Sequence, residues 1–383
     1  MWNKISDRVY NLKPSAIRKY FSIPVDAITL GIGEPDFTTP SKALIAAIHS
    51  LEAEETHYTA NSGLIELREA ISDYLFNLYG VGYDPKKEII ATVGASEALF
   101  LAVSTVVNPG DEMIVITPCF VSYPACVILA GGIPVEVECC LEDNFDMDIT
   151  KVEAAITEKT KGFVIGFPSN PTGAVASRET LQKLCDLAVK YDLCVIADEI
   201  YGRLVYGHEH VCFASLKRAF DRCMIVNGMS KSHAMTGLRI GYLAAPEHLL
   251  SQAYKIHQYL IMSAPTTSQR AAAIALRECE DDVKAMTAEY DRRRKMLIPR
   301  LNELGLTTFE PKGAFYAFPR ITSTGLSSEQ FADRLLEEEK VAVIPGSGFG
   351  KGGEGFIRIS YATSYENIEK ALDKIEHFIS RYR

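Results

Sequence analysis

Short apolar segments recur between about residues 42 and 280, and each ends in polar or glycine-containing turn residues. Stretches with helical periodicity, such as residues 179–192, lie between several of them. Continuous apolar runs are typical of strands that crossover helices cover on both faces. The chain is therefore predicted to be an α/β protein with a mostly parallel sheet. The apolar segments are residues 110–118, 161–170, 193–201, 222–231 and 240–246.

The last hundred residues have a different pattern. A charged helix is predicted over residues 289–304, short strands over 314–319 and 356–362, and a closing helix from about Tyr365. This mixture favours a smaller α+β domain completed by the N-terminal segment, and a chain of 383 residues is long enough for two domains. The predicted division is a large domain of residues 41–280 and a small domain of residues 1–40 plus 281–383.

Composition excludes several classes of function. A net charge of −9 without a long Lys/Arg run argues against a nucleic-acid partner, and no apolar stretch reaches membrane-spanning length. Nine cysteines without a CxxC pair predict free thiols in a reducing cytoplasm, and residues 1–14 do not resemble a secretory signal. His208 and His210 flank Glu209, but a surface loop is favoured over a metal site there, and no metal is predicted.

Lys231 is the residue that points to chemistry. It lies in GMSKSHAMTGLRIG, residues 228–241, among small neighbours and eight positions before Arg239. Taken alone, a lysine beside serines is usually a solvated surface residue. However, small neighbours leave room for a bulky partner on the amine, and a guanidinium can hold an anionic group of that partner. This arrangement suits Schiff-base chemistry with an aldehyde cofactor.

Other polar residues also follow apolar runs. Asn170, Asp198 and Tyr201 each come after a predicted strand, as Lys231 does, and the carboxyl ends of parallel strands share one edge of the sheet. A buried Asp198 needs a partner, which is either structural (a helix N-cap or an ion pair) or the protonated ring nitrogen of a cofactor. The sequence therefore predicts a ligand site along this edge.

Two further segments could contact anions. Gly94, Ala95 and Ser96 open a predicted helix and could leave backbone N–H groups free for a phosphate, and Ser96 could at the same time be the N-cap. Arg358 lies in a predicted half-buried strand and could bind either a substrate carboxylate or a structural one. Phe120, in a loop, could stack on a ring or pack in the core. Residues 345–353 are rich in glycine but lack the P-loop pattern.

Together these motifs resemble those of the fold-type I pyridoxal-phosphate-dependent aminotransferases of class I/II, particularly archaeal-type aromatic and prokaryotic aspartate aminotransferases. The resemblance implies a mostly parallel seven-stranded sheet sandwiched by helices, and a homodimer whose active site is shared between subunits. The motifs that carry it are LGIGEPDF (30–37), HYTANSGLIELREAI (57–71), VGASEALF (93–100), NPTG (170–173), ADEIY (197–201), SKSHAMTGLRIGY (230–242) and FIRISYA (356–362).

The resemblance also implies roles for individual residues. Lys231 would bind the cofactor covalently and move a proton, with Asp198 and Tyr201 as the other catalytic residues. The residues expected to hold the cofactor are Gly94, Ala95, Ser96, Phe120, Asn170, Asp198, Tyr201, Ser230, Lys231 and Arg239, with Tyr58 from the other subunit. The residues expected to bind the substrate are Gly33, Asn170 and Arg358.

The activity implied is transfer of an amino group from an L-amino acid, with an aromatic one favoured, to a 2-oxo acid, with 2-oxoglutarate the expected acceptor. Related aspartate aminotransferases often have a lysine where this chain has Ser96, which weakens an aspartate assignment. An aspartate or broad-specificity aminotransferase and a C–S β-lyase remain alternatives. A non-catalytic module is disfavoured because Lys231, Asp198 and Arg358 are all present, and a dinucleotide oxidoreductase because GxGxxG is absent after the first strands.

Overall fold

A computed structural model describes residues 4–15, 17–21 and 24–382. The helices in this part of the chain are α1 (Asp7–Tyr10), α2 (Ser41–Glu52), α3 (Ile65–Tyr79), α4 (Gly94–Val106), α5 (Ser122–Leu129), α6 (Ile149–Ala154), α7 (Arg178–Lys190), α8 (Glu247–Leu260), α9 (Thr266–Glu278), α10 (Glu280–Glu303), α11 (Ser328–Glu339) and α12 (Tyr365–Ile379). The strands are β1 (Ile28–Thr29), β2 (Ile89–Thr92), β3 (Glu112–Thr117), β4 (Ile133–Glu138), β5 (Thr160–Gly166), β6 (Cys194–Asp198), β7 (Cys223–Gly228), β8 (Gly241–Ala244), β9 (Tyr316–Ala317), β10 (Val341–Ala342), β11 (Ile344–Pro345) and β12 (Ile357–Ser360).

The central sheet has seven strands in the order β2-β8-β7-β6-β5-β3-β4. The strands from β7 to β4 are parallel, whereas β8 is antiparallel to both of its neighbours. Four of these strands, β3 and β6–β8, lie within the apolar segments found in the sequence, and β5 begins one residue before its segment. The predicted α/β class with a mostly parallel seven-stranded sheet is confirmed.

Both faces of this sheet are covered, which explains the continuous apolar runs. In β7, Met224 and Val226 join the cluster that packs with α4, α5 and α8, whereas Cys223 and Ile225 join the cluster on the opposite face. Helix α7 belongs to that second cluster, and it buries the apolar face read from its periodicity. The alternation along each strand therefore divides one apolar run between two helical layers.

The C-terminal region contains smaller sheets. Strands β11, β12 and β9 form an antiparallel sheet in that order, and β1 pairs in parallel with β10. The predicted helix at 289–304 is α10, which begins earlier, at Glu280, because Glu280, Asp281 and Asp282 supply an acidic first turn. The closing helix α12 begins at Tyr365, as predicted. The division into two domains stays a prediction.

The parallel arrangement of β5, β6 and β7 determines where the candidate site lies. Strands β5, β6 and β7 end at Gly166, Asp198 and Gly228, so the segments that follow them emerge at one edge of the sheet. Asn170, Asp198 and Lys231 belong to these three connections.

Candidate active site

Lys231 follows β7 and is half-buried. Its Nζ donates a hydrogen bond to the backbone carbonyl of Gly33 at 2.6 Å. Loss of solvent around the amine, reinforced by the positive charges of Arg358 and Arg239, lowers the pKa of Lys231 to about 8, although Glu34 and Asp198 oppose the shift. An amine with this pKa is deprotonated far more often near neutral pH than an ordinary lysine, which makes it a better nucleophile.

Asp198 ends β6 and is 7% exposed. One carboxylate oxygen accepts from the Tyr123 hydroxyl at 3.0 Å, and the other accepts from the Ile200 backbone N–H at 3.1 Å. Burial raises the pKa of Asp198 to about 6, although both hydrogen bonds oppose the shift. Within the described residues no cation forms an ion pair with it. The carboxylate can therefore accept a proton or a cationic group from a ligand.

Arg358 lies on β12 and is 2% exposed, so it is fully buried rather than half-buried as the sequence predicted. It donates to Asn170 Oδ1 at 2.9 Å and to the Gly31 carbonyl at 2.6 Å. No Asp or Glu among residues 4–15, 17–21 and 24–382 forms an ion pair with it, and its Nε has no hydrogen-bond partner there. This excludes a structural carboxylate within those ranges and leaves a buried cation able to receive an anion.

Arg358 and Lys231 converge on one short segment of backbone. Arg358 donates to the carbonyl of Gly31, and Lys231 donates to that of Gly33, two residues later. Asn170 joins them through its bond to Arg358. The structure therefore brings together the predicted Gly33, Asn170, Lys231 and Arg358.

The start of α4 forms a second part of the site. Ser96 is not the N-cap: α4 begins at Gly94, and Ser96 is an exposed residue of its first turn. The side chain of Glu97 accepts instead from the Val93 N–H at 2.6 Å. Gly94 has φ +75°, and a Cβ there would lie 2.7 Å from Nη2 of Arg239, so only glycine lets the guanidinium approach.

Arg239 is exposed and donates to the Thr236 carbonyl at 2.9 Å, with no ion pair in the described parts of the chain. Ser230, one residue before Lys231, is 7% exposed. A guanidinium packed against the first turn of a helix is suited to an anion such as phosphate, since the free N–H groups and the helix dipole act in the same direction.

Two predicted residues lie apart from these groups. Phe120 is partly buried in the loop before α5, with its ring edge-to-face with Tyr123 at a centroid distance of 5.8 Å. Tyr58 is 77% exposed on the surface. The predicted contribution of Tyr58 to the site of another subunit stays a prediction.

Sequence reasoning missed two tyrosines. Tyr123 lies in α5 and donates to Asp198, while Tyr316 lies on β9 with its hydroxyl 2.7 Å from that of Tyr201. Tyr123 lies inside the helix that follows β3 rather than directly at the end of the strand, and Tyr316 lies on a strand of a smaller sheet, so neither shows the signal that identified Asn170, Asp198 and Lys231. Tyr316 could have been considered from the AFYAFP segment only if the pairing of β9 with β12 had been known.

The His208–His210 segment holds structural contacts. The Nδ1 of His208 hydrogen-bonds to the Tyr206 carbonyl, and Nε2 of His210 lies 3.1 Å from Oε2 of the buried Glu199. Across the described ranges, no three His, Cys, Asp or Glu side chains are grouped as metal ligands. No helix there is both long enough and apolar enough to cross a bilayer.

Comparison with known proteins identifies relatives of this architecture. The family model for aminotransferase class I and II matches residues 25–375. The chain is 47% identical over 378 residues to an aspartate aminotransferase of Pyrococcus abyssi, and 44% identical over 378 residues to aromatic-amino-acid aminotransferase 2 of Thermococcus litoralis, with 97% of each chain covered in both cases. The crystal structure of an aromatic aminotransferase from Pyrococcus horikoshii matches with a TM-score of 0.91 and 45% identity, over 96% of this chain and 99% of that one.

Proposed function

This chain belongs to the aminotransferase class I and II family, and we propose that it transfers the amino group of an aromatic amino acid to 2-oxoglutarate. Transamination between an amino acid and a 2-oxo acid is the activity of the family, and its members depend on pyridoxal phosphate. The observation that carries the proposal is the convergence of the Lys231 amine and the unpaired Arg358 on residues 31–33.

The groups present fit pyridoxal phosphate. A buried carboxylate without a cation, Asp198, suits the protonated nitrogen of a pyridine ring. The first turn of α4, together with Ser230 and Arg239, suits a phosphate. Tyr201 and Asn170 offer polar groups for the oxygen on the ring, and Phe120 offers an aromatic face. When bound, the cofactor supplies an aldehyde for the amine and a ring that accepts electrons.

The residues of this chain then have separate tasks. Arg358 binds the α-carboxylate of the amino acid in charge-assisted hydrogen bonds, and Asn170 holds the guanidinium in place. Lys231 is the base that removes the proton from the substrate Cα and returns it, a task for which an amine with a pKa near 8 is suited. Asp198 keeps the proton on the ring nitrogen. Packing around Arg358 excludes water from the carboxylate.

The choice of substrate depends on two observations. Ser96 stands where a lysine would reach a second carboxylate, and one relative of similar identity is named for aromatic amino acids. The name of the Pyrococcus abyssi relative favours aspartate instead. Initial rates with phenylalanine, tyrosine and aspartate as donors and 2-oxoglutarate as acceptor decide between them. A kcat/KM for aspartate that equals or exceeds those of both aromatic donors contradicts the aromatic proposal.

We also propose that the protein is a homodimer. Residues 57–61 and 261–262 are joined because Asn61 donates to the carbonyls of Ile261 and Met262. Around this junction and on the preceding α2, several large apolar side chains are exposed, which is typical of a surface that contacts another protein. They are Ile45, Ile48, Leu51, Tyr58, Tyr259, Leu260 and Met262, each between 48% and 93% exposed.

We propose that a second copy covers this surface and that Tyr58 contributes to the site of that copy, as the sequence resemblance implies. Sedimentation equilibrium tests the assembly, since Tyr259→Glu should shift the protein towards monomer and a dimer unchanged by it would contradict the interface. A cytoplasmic location is likewise a proposal, and it is supported by the nine free cysteines.

A further inference from the structure

Tyr316 lies between Tyr201 and Arg358. Its side chain is 1% exposed, and its hydroxyl oxygen lies 2.7 Å from that of Tyr201. Because β9 pairs with β12, Tyr316 also stands beside the strand that carries Arg358, whose guanidinium carbon is 4.5 Å from the centre of the Tyr316 ring. Tyr316 therefore contacts both a predicted cofactor ligand and the predicted substrate ligand.

The hydroxyls of Tyr201 and Tyr316 have two protons between them, one on each phenol. Burial raises the pKa of both Tyr201 and Tyr316, so each phenol keeps its single proton near neutral pH. Within the described residues, neither hydroxyl has a further hydrogen-bond partner. If Tyr316 donates to Tyr201, the Tyr201 proton is left for an anionic oxygen of a ligand. If Tyr201 donates instead, it has no proton to offer that ligand.

The backbone around the pair is adapted to Tyr316. A Cβ at Gly33 would overlap the Tyr316 hydroxyl, so the segment that receives the Lys231 hydrogen bond passes close to it only because residue 33 is glycine. The ring offers its negative face to Arg358 without forming an ion pair, which supports the cation and leaves its charge free for a substrate carboxylate.

We propose that Tyr316 is a positioning residue of this site. Its hydroxyl donates to Tyr201 and thereby directs the Tyr201 proton towards the ring oxygen of the cofactor, while its ring holds Arg358 in place. This role rests on the proposed function. The role of Tyr316 is nevertheless a separate claim, because transamination could also proceed with a phenylalanine at 316 and with Tyr201 held by other contacts.

The test is a pH titration of the absorbance of the holoenzyme. A hydrogen bond donated to the anionic ring oxygen of the cofactor draws negative charge away from the neighbouring nitrogen, which is joined to Lys231. The pKa of that nitrogen, which is the midpoint of the titration, is thereby lowered. Loss of that donor therefore raises the midpoint. We expect Tyr201→Phe to raise it by about one unit, the effect of one hydrogen bond to a charged group. Tyr316→Phe should raise it by about 0.3 unit, because it only weakens the Tyr201 donation.

The double variant Tyr201→Phe/Tyr316→Phe separates this role from a structural one. If Tyr316 acts through Tyr201, the double variant titrates like Tyr201→Phe alone. A wild-type midpoint in Tyr316→Phe, or a shift that persists when Tyr201 is already replaced, overturns the proposal. A wild-type protein that gains no cofactor absorbance on incubation with pyridoxal phosphate would refute the proposed function itself, and this role with it.

The role of the ring is read from steady-state kinetics. Tyr316→Phe keeps the aromatic face and should leave KM for the amino acid within about twofold, whereas Tyr316→Leu removes the face and should raise KM about fivefold. The charged groups around Lys231 are the same in all these variants. Equal KM values in Tyr316→Phe and Tyr316→Leu would overturn the role of the ring.

Discussion

Asp198→Asn should stabilise the protein without cofactor while weakening its binding of cofactor. Asparagine has the same shape as aspartate, and its Oδ1 can still accept from the Ile200 N–H while the amide stays within reach of Tyr123. The substitution therefore removes the buried charge and little else. Because that charge has no cation partner among the described residues, its removal should be favourable in the apoprotein.

The raised pKa of Asp198 sets the size of the expected gain in the free energy of unfolding. Burial raises it from 3.8 to about 6 in the folded protein, so the folded state binds this proton more tightly than the unfolded state does. The stabilisation that the proton gives is complete below pH 3.8 and is lost as the pH rises to about 6. A difference of about two units corresponds to about 3 kcal/mol. We therefore expect the free energy of unfolding of the Asp198→Asn apoprotein to exceed that of wild type by about 3 kcal/mol above pH 6.

Urea unfolding of both apoproteins at pH 8 and pH 4.5 measures this difference. The gain should be largest at pH 8 and should shrink at pH 4.5, where Asp198 is mostly protonated. Adding pyridoxal phosphate should reverse the order, because only the wild type pairs a carboxylate with the ring nitrogen. A variant less stable than wild type at pH 8, or a difference equal at both pH values, would refute this account of Asp198.

Three further results are expected. Lys231→Ala should lower turnover at least about a thousandfold and abolish the coloured adduct that borohydride fixes to the chain, while the exposed Lys351→Ala serves as the matched control; near-normal turnover in Lys231→Ala would contradict its role. Arg358→Lys should raise KM for the amino acid by about a hundredfold in steady-state assays, because the fork of donors is lost, and an unchanged KM would exclude Arg358 as the carboxylate ligand. Glu97→Gln should lower the thermal unfolding temperature, because it replaces a carboxylate that lies 2.6 Å from Nδ1 of the fully buried His257 with a neutral amide, a loss of about 1 kcal/mol, and an unaltered temperature would show that the carboxylate contributes nothing.

The central sheet could be predicted because its pattern is local. Each buried parallel strand appears as an apolar run, and its carboxyl end falls at the next polar residue, so Asn170, Asp198 and Lys231 could be assigned to one edge without knowing the order of the strands. The first residue of α4 is harder to predict from the sequence, since Ser96 and Gly94 are both plausible near a helix N-terminus. The choice depends on the Glu97 side chain folding back onto Val93, which no residue pattern specifies.

The small sheets could be located but not assembled. The segment of Tyr316 was recognised as a strand, yet its contact with Tyr201 joins residues 115 positions apart through the antiparallel pairing of β9 with β12. Likewise, Arg358 was expected to be half-buried because its neighbours in the sequence are apolar. Only the packing of Tyr316 and Phe349 against its guanidinium, at 4.5 and 5.1 Å, explains why it is fully buried.

The charged side chains that lack an ion-pair partner indicate the charges of the ligand better than any single sequence motif does. A buried cation without an acidic partner costs several kcal/mol, so its persistence in a folded chain indicates an anion that arrives with the ligand. Within the described residues, the buried Arg358 lacks such a partner and the buried Asp198 lacks a cation, while the exposed Arg239 beside the first turn of α4 also forms no ion pair. A ligand set that satisfies all three must bring two separate anionic groups and one cationic group. Pyridoxal phosphate with an amino acid supplies these three groups as a phosphate, a carboxylate and a protonated ring nitrogen.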